Sequence, residues 1–144
     1  MSELTYEIQP YVDRVLARLR AAPFSDRDVF DSGIPRGVER PQRYLLAFTG
    51  FDAADPRLTG AQANHNVVVI VRGVGTTARE ARAAIDHART RLIGARLEVP
   101  GRASAPIRHE GSLVSPIGFD PDVGDGRWFH EDEFAWFTTP AGGS

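Results

Sequence analysis

The sequence predicts one α+β domain, a mainly antiparallel or mixed β-sheet flanked by two α-helices. Two segments carry apolar residues at the three-and-four spacing of an amphipathic helix. Six further segments read as extended, several with strict period-two alternation. The elements come as helix, three extended segments, helix, three extended segments, which suits helices packed on a sheet. The 144 residues show no repeat, heptad seam or linker, and that length is ordinary for one domain, here 1–144.

The first helix is marked by Ile8, Tyr11, Val12, Val15, Leu16 and Leu19, with Arg14, Arg18 and Arg20 off the stripe. Pro10 fits a first turn, where its missing N–H costs little, and Pro23 stops the helix. A short extended piece, Val29 to Asp31, leads into a loop over 31–41 containing Gly33, Pro35, Gly37 and Pro41. Residues 43–51 alternate, placing Tyr44, Leu46 and Phe48 on one face of a strand. A long loop follows over 52–66, and loops of that length are usually functional or disordered. Residues 67–72 are β-branched at nearly every position. Such a run is a strand covered on both faces or by helices, and Gly73 and Gly75 are expected to end it.

The second helix opens with Thr77 and, three residues on, Glu80, the spacing of a capping box. Ala81, Ile85, Ala88 and Leu92 form its stripe with Ala84 beside them, and Gly94 supplies the stop. Arg79, Arg82, Asp86 and Arg89 are expected on its outer face. The small alanines imply close packing on a sheet. Short strands are expected at 97–99, before the Pro100-Gly101 turn, and at 107–114. Residues 119–126 are rich in Asp, Pro and Gly and read as a hairpin loop. Residues 128–138 alternate cleanly: Trp128, His130, Asp132, Phe134 and Trp136 share one face, Phe129, Glu131, Glu133, Ala135 and Phe137 the other. Residues 139–144 are expected to fray.

Composition removes several function classes. The chain has no cysteine, which excludes disulfides, thiolate metal sites and cysteine nucleophiles. It also agrees with synthesis in a reducing cytosol. The formal net charge of −2 lacks the basic excess of a nucleic-acid binder. All 17 basic side chains are arginine, a bias that reads as high-GC genome composition. No secretory signal opens the sequence, and no apolar run approaches the roughly 20 residues of a membrane span.

Catalytic signatures are weak. Gly73-Val-Gly75 joins strand to helix, the right context for a dinucleotide fingerprint, but Ala78 stands where the third glycine belongs. No lysine is present for a phosphate loop. His109-Glu110 and His130-Glu131-Asp132 would form a metal site only if strand pairing joined them. A solvated, mixed-charge strand face explains them more simply. The carboxylates Asp120, Asp122 and Asp125 sit in turn chemistry, and no G-x-S-x-G elbow supports a serine nucleophile. Arg36, Arg40, Arg43 and Arg57 flank the two long loops and suit contacts with carboxylates or phosphate.

Several segments read in order carry a resemblance. They are the N-terminal amphipathic helix, the stretch from Asp28 to Pro35, the proline-led strand from Pro41 to Phe48, and the 67–71 strand. The helix start at Thr77 to Arg82, then Leu97 to Arg102, Pro106 to His109, and the closing strand from Phe134 to Pro140 complete it. Together, from about Ile8 to Pro140, the chain resembles the tail-terminator (minor tail) proteins of long-tailed bacteriophages. That resemblance implies a structural virion protein with a mixed sheet and helices, no enzyme activity, no cofactor and no metal. It implies a homo-oligomeric, usually hexameric ring at the head-proximal end of the tail tube. The ring ends tube polymerisation and meets the head-completion or neck connector protein. Genomic DNA passes its lumen without specific binding, past acidic residues, and no membrane is involved. The expected locations are the virion tail or neck, and the host cytoplasm during assembly. Residues suited to subunit or partner contacts are Arg36, Arg40, Arg57, Asp120, Asp122, Trp128 and Trp136. The alternatives are another head–tail connector, or a small metal-assisted hydrolase using His109, Glu110, His130 and Asp132.

Overall fold

The computed structural model describes residues 8–52 and 64–141. Along the chain run α1 (Gln9–Leu19), β1 (Val29–Asp31), β2 (Arg43–Phe51), β3 (His65–Gly75), α2 (Ala78–Leu92), β4 (Arg102–Ser104), β5 (Arg108–Asp120) and β6 (Arg127–Pro140). They form the expected α+β arrangement, one mixed six-stranded sheet with two helices. The sheet order is β1-β2-β3-β6, and β4 and β5 share the far edge of β6. Among the described residues only β1 and β2 pair in parallel. Register shifts interrupt β5 between His109 and Gly111, Ser112 and Val114, and Val114 and Gly118. Bulges of this kind blunt a free sheet edge against unwanted pairing.

Both helices dock as their stripes require. α1 buries Tyr11, Val12, Val15, Leu16 and Leu19, and α2 buries Ala81, Ala84, Ile85, Ala88 and Leu92. The Thr77 side chain accepts a hydrogen bond from the Glu80 amide at 3.1 Å, so the capping residue is the expected one. Against the helices the sheet sets Leu45, Ala47, Val67, Val69, Val71, Phe134 and Trp136, all in one continuous core. At its end, the buried Tyr11 hydroxyl lies 2.7 Å from Thr138 Oγ1 and 3.1 Å from His65 Nδ1.

β3 runs to Gly75, past the glycines expected to end it. Their backbones still pair, Gly73 with Leu45 and His130, Gly75 with Arg43 and Trp128. What needs glycine there is the helix. A Cβ on Gly75 would lie 2.6 Å from Glu80 Cβ and 2.7 Å from the Ala81 amide nitrogen; one on Gly73 would lie 2.9 Å from the Ile85 nitrogen. α2 therefore rests directly on the β3 backbone, which explains the Gly-x-Gly without a phosphate.

The strand expected at 97–99 does not form. Leu97 and Val99 are buried in the core as their alternation suggests. The backbone pairing lies elsewhere, between Gly94 and Ala95 on one side and Ile107 on the other. Pairing with β6 begins only after the Pro100-Gly101 turn, at Arg102. At the C-terminus, Thr139 and Pro140 belong to β6 opposite Ala103 and Arg102, so the expected fraying does not reach them. β5 extends through Asp120, which narrows the expected hairpin loop to residues 121–126.

The sheet face away from the helices carries a second, small cluster of Phe30, Tyr44 and Val74, with Ile34, Leu46 and Phe129 against it. Among the described residues no helix covers the rest of that face. Phe48 opposite Ile70, Val68 opposite Ala135 and Asn66 opposite Phe137 make up its middle. Phe48 and Phe137 are 38% and 42% exposed.

Candidate functional site

The hairpin joining β5 to β6 gathers three of the residues expected at an interface. Arg43, Gly75, Trp128 and Phe119 form the end row of the sheet in register. Residues 121–126 project beyond that row. The tip is held in shape: the Asp122 amide donates to Asp120 Oδ1 at 2.9 Å. Arg127 Nη1 donates to Asp125 Oδ1 at 2.5 Å and to the Gly126 carbonyl at 3.0 Å. The hydrogen bond from Arg127 holds the Asp125 carboxyl below its ordinary pKa. Phe119 and Trp128 meet with ring centroids 4.9 Å apart. Gly126 has φ +102°, and a Cβ there would strike the Phe119 ring at 2.5 Å. Asp122 is exposed at the crest, with Asp120 half-buried beside it.

Arg36 and Arg40 lie on the opposite side of the sheet, on the loop after β1. Arg36 is exposed. Arg40 Nη1 donates to the Tyr44 hydroxyl at 2.9 Å and borders a groove of about 750 Å3 lined also by Arg20, Phe30, Val38 and Gln42. β2 and β3 separate these arginines from the hairpin, so the expected interface residues form two patches. Arg57 lies outside the described residues.

Trp136 is not a surface residue. It is 0% exposed, part of the main core, with its ring 6.3 Å from that of Tyr11. The helices settle this: its strand face is the one α1 and α2 cover. The aromatic left outside is Phe137, one position on.

The residues raised as a metal site do converge, on an arginine. Asp132 is 0% exposed and accepts from Arg89 Nε at 2.5 Å, Arg89 Nη2 at 3.2 Å, His109 Nε2 at 2.8 Å and Ser112 Oγ at 2.9 Å. His130 Nδ1 lies 3.4 Å from the same carboxylate. Burial pushes the Asp132 carboxyl up, but the hydrogen bonds from Arg89, Ser112 and His109 outweigh it and hold it below its ordinary value. The Arg89 guanidinium is pushed up by its hydrogen bond to Asp132. Glu110 takes no part, pairing with Arg108 at 3.1 Å. This is a buried ion pair joining α2 to β5 and β6, not the solvated strand face expected. The guanidinium already supplies the positive charge at this carboxylate. Among the described residues no group of His, Asp and Glu is arranged to hold a metal ion.

Sequence reading missed two features here. Arg89 was placed on the outer face of α2, because helical spacing does not reveal how far a long side chain reaches. A second groove lies between α1 and the segment after α2, about 510 Å3 and lined by Arg14, Arg96, Glu98, Val99, Pro100 and Ser104, among others. Arg14 stands 82 positions before Arg96 and 88 before Arg102, which also lines the groove, so no local signal joins them.

No protein-family model matches the chain, and no curated protein matches it. Solved structures do. One is a chain from a structure described as the virion of a native gene transfer agent particle. It is 16% identical, matches over 94% of this chain and 99% of its own length, and superposes with a TM-score of 0.68. A second, 14% identical over 94% of each chain, gives a TM-score of 0.52. At these identities the likeness shows a shared fold, here shared from end to end.

Proposed function

We propose that this chain is a structural subunit of a phage-like virion. Its role is to form a ring, most simply a hexamer, that caps the head-proximal end of the tail tube. The observation that carries the reading is the near-complete correspondence in fold with a chain of a gene transfer agent virion. The resemblance to tail terminators supplies the finer role. The contacts such a ring needs are with itself, with the tube protein and with a head-completion or connector protein, and DNA passes through its lumen. The protein acts within the virion neck, after assembly in the host cytoplasm.

The structure offers suitable surfaces: the projecting hairpin, the loop carrying Arg36 and Arg40, and the open sheet face with Phe48 and Phe137. The test is to polymerise the tube protein of the same particle with and without this chain and measure tube lengths by electron microscopy. Capped, shortened tubes are expected. Unchanged lengths, with binding instead to the portal-side proteins, would establish a different connector role.

A further inference from the structure

The two ends of β6 carry opposite charge. At its start the hairpin tip projects past the sheet with Asp120 and Asp122. Asp125 beside them is already paired to Arg127. At its end, β4 pairs Arg102 with Pro140 and brings up the groove containing Arg14 and Arg96. Arg102 of β4 and one acid, Glu98, also line this groove, and Arg14 comes from α1 and Arg96 from the segment after α2, so separate elements aim two further cations at one concavity. Both side chains are exposed, and Arg96 is steadied by donating to the Ser104 carbonyl at 3.1 Å. Asp13, the acid next to Arg14, accepts from Gln9 at 2.9 Å. The floor is apolar, made of Val99 and Pro100, and Pro10 and Ala17 continue it. Over the 14 residues of β6, at about 3.3 Å each, tip and groove stand roughly 45 Å apart.

We propose that the acidic β5–β6 tip of one copy seats in the Arg14–Arg96 groove of the next. A convex acid and a concave base at opposite ends of one subunit cannot meet within that subunit. They form a heterologous, head-to-tail contact, the kind that closes into a ring or runs on as a filament. Asp120 and Asp122 present carboxylates to two guanidinium groups, a pairing suited to forked hydrogen bonds. The exposed Phe119 beside them meets the apolar floor. Asp120 and Asp122 thereby belong to the subunit contact and not to a DNA-facing lumen. This contact rests on the ring reading above.

Two double variants test it, R14E/R96E and D120R/D122R. Arg14, Arg96 and Asp122 are exposed and Asp120 is half-buried, so circular dichroism with thermal melting checks that each variant folds, and Asp122→Arg alone repeats the test with the Asp120 carboxylate left in place. Wild type is expected to sediment as a closed oligomer. Each variant alone should associate at least about tenfold more weakly, since like charges then face each other. Mixed one to one, the variants should assemble again, because reversed groove meets reversed tip and the native pair meets itself, giving alternating rings of even number. Wild-type rings that persist in both variants, or variants that fail to rescue each other, overturn this contact and leave the ring reading standing. A wild-type chain that stays monomeric and does not shorten tubes overturns both.

Discussion

Arg89 spans from α2 to β6 to hold the fully buried carboxylate of Asp132 through two nitrogens, Nε to Oδ2 at 2.5 Å and Nη2 to Oδ1 at 3.2 Å. The pair is half of a four-residue junction of three elements, since His109 and Ser112 reach the same carboxylate from β5. Removing one partner of a buried pair costs about 3–5 kcal/mol, and because the Arg89 side chain is 32% exposed, solvent screening brings the cost here to the lower end of that range. Arg89→Met should therefore destabilise the protein by that order in urea unfolding. A loss within about 0.5 kcal/mol, the range of ordinary surface substitutions, would show the pair to be incidental.

The same junction sets an acid response. Burial raises the Asp132 pKa, its three hydrogen-bond donors lower it, and the donors win. The folded-state value thus lies below the unfolded one of about 3.9. Its contribution to stability is complete above that pH and is lost as pH falls through it toward the folded value. Wild type should keep a level melting temperature from about pH 7 to pH 5 and lose stability below about pH 4. In Arg89→Met the largest lowering influence is gone while burial remains, so the folded value moves up toward or past the unfolded one and the acid-induced loss of stability should be shallower than in wild type. Superimposable acid profiles for the two proteins would contradict this assignment.

The Arg89 contact also marks where the sequence stops being legible. Both helices, their buried stripes and the Thr77 cap follow from short-range spacing, and so do β2, β3 and β6. Pairing is another matter. Leu97 and Val99 alternate like strand residues, yet no partner strand lies beside them, and only register with β6 decides that the strand starts at Arg102. The two faces of β6 look alike in sequence, each carrying aromatics. Which one is core depends on where α1 and α2 dock, so Trp136 is buried and Phe137 is not. At the candidate surfaces the hairpin chemistry of 119–126 was visible as turn residues. The Arg14–Arg96 groove, built by α1 and chain segments some 80 positions further on, was not.

Gly75 is expected to be intolerant of even one methyl group. The Cβ of Gly75→Ala would fall within 2.9 Å of three atoms of α2, two of them backbone. The helix would have to lift from β3, and overpacking of this kind costs about 1–3 kcal/mol. Gly50, on β2, is the control, because a Cβ there meets nothing within 4 Å. Chemical denaturation should rank Gly75→Ala well below Gly50→Ala. Equal stabilities would mean that α2 does not bear on the β3 backbone.

The contact of Tyr11 with Thr138 ties the N-terminal helix to the last strand. The hydroxyl is buried 2.7 Å from Thr138 Oγ1, which also receives Arg102 Nη2 at 3.1 Å. Tyr11→Phe keeps the ring among Phe51, His65 and Trp136 and removes only the polar atom. The polar groups left behind lose a partner away from water, at a cost of about 1–3 kcal/mol. Thr138→Val should cost a similar amount, and the double variant should cost less than the sum, with a coupling of about 0.5–3 kcal/mol. Strict additivity would place the two groups outside one network. Because Arg102 shares that network and borders the basic groove, Tyr11→Phe should also loosen β4 in hydrogen exchange, while the amides of β2 and β3 keep their protection.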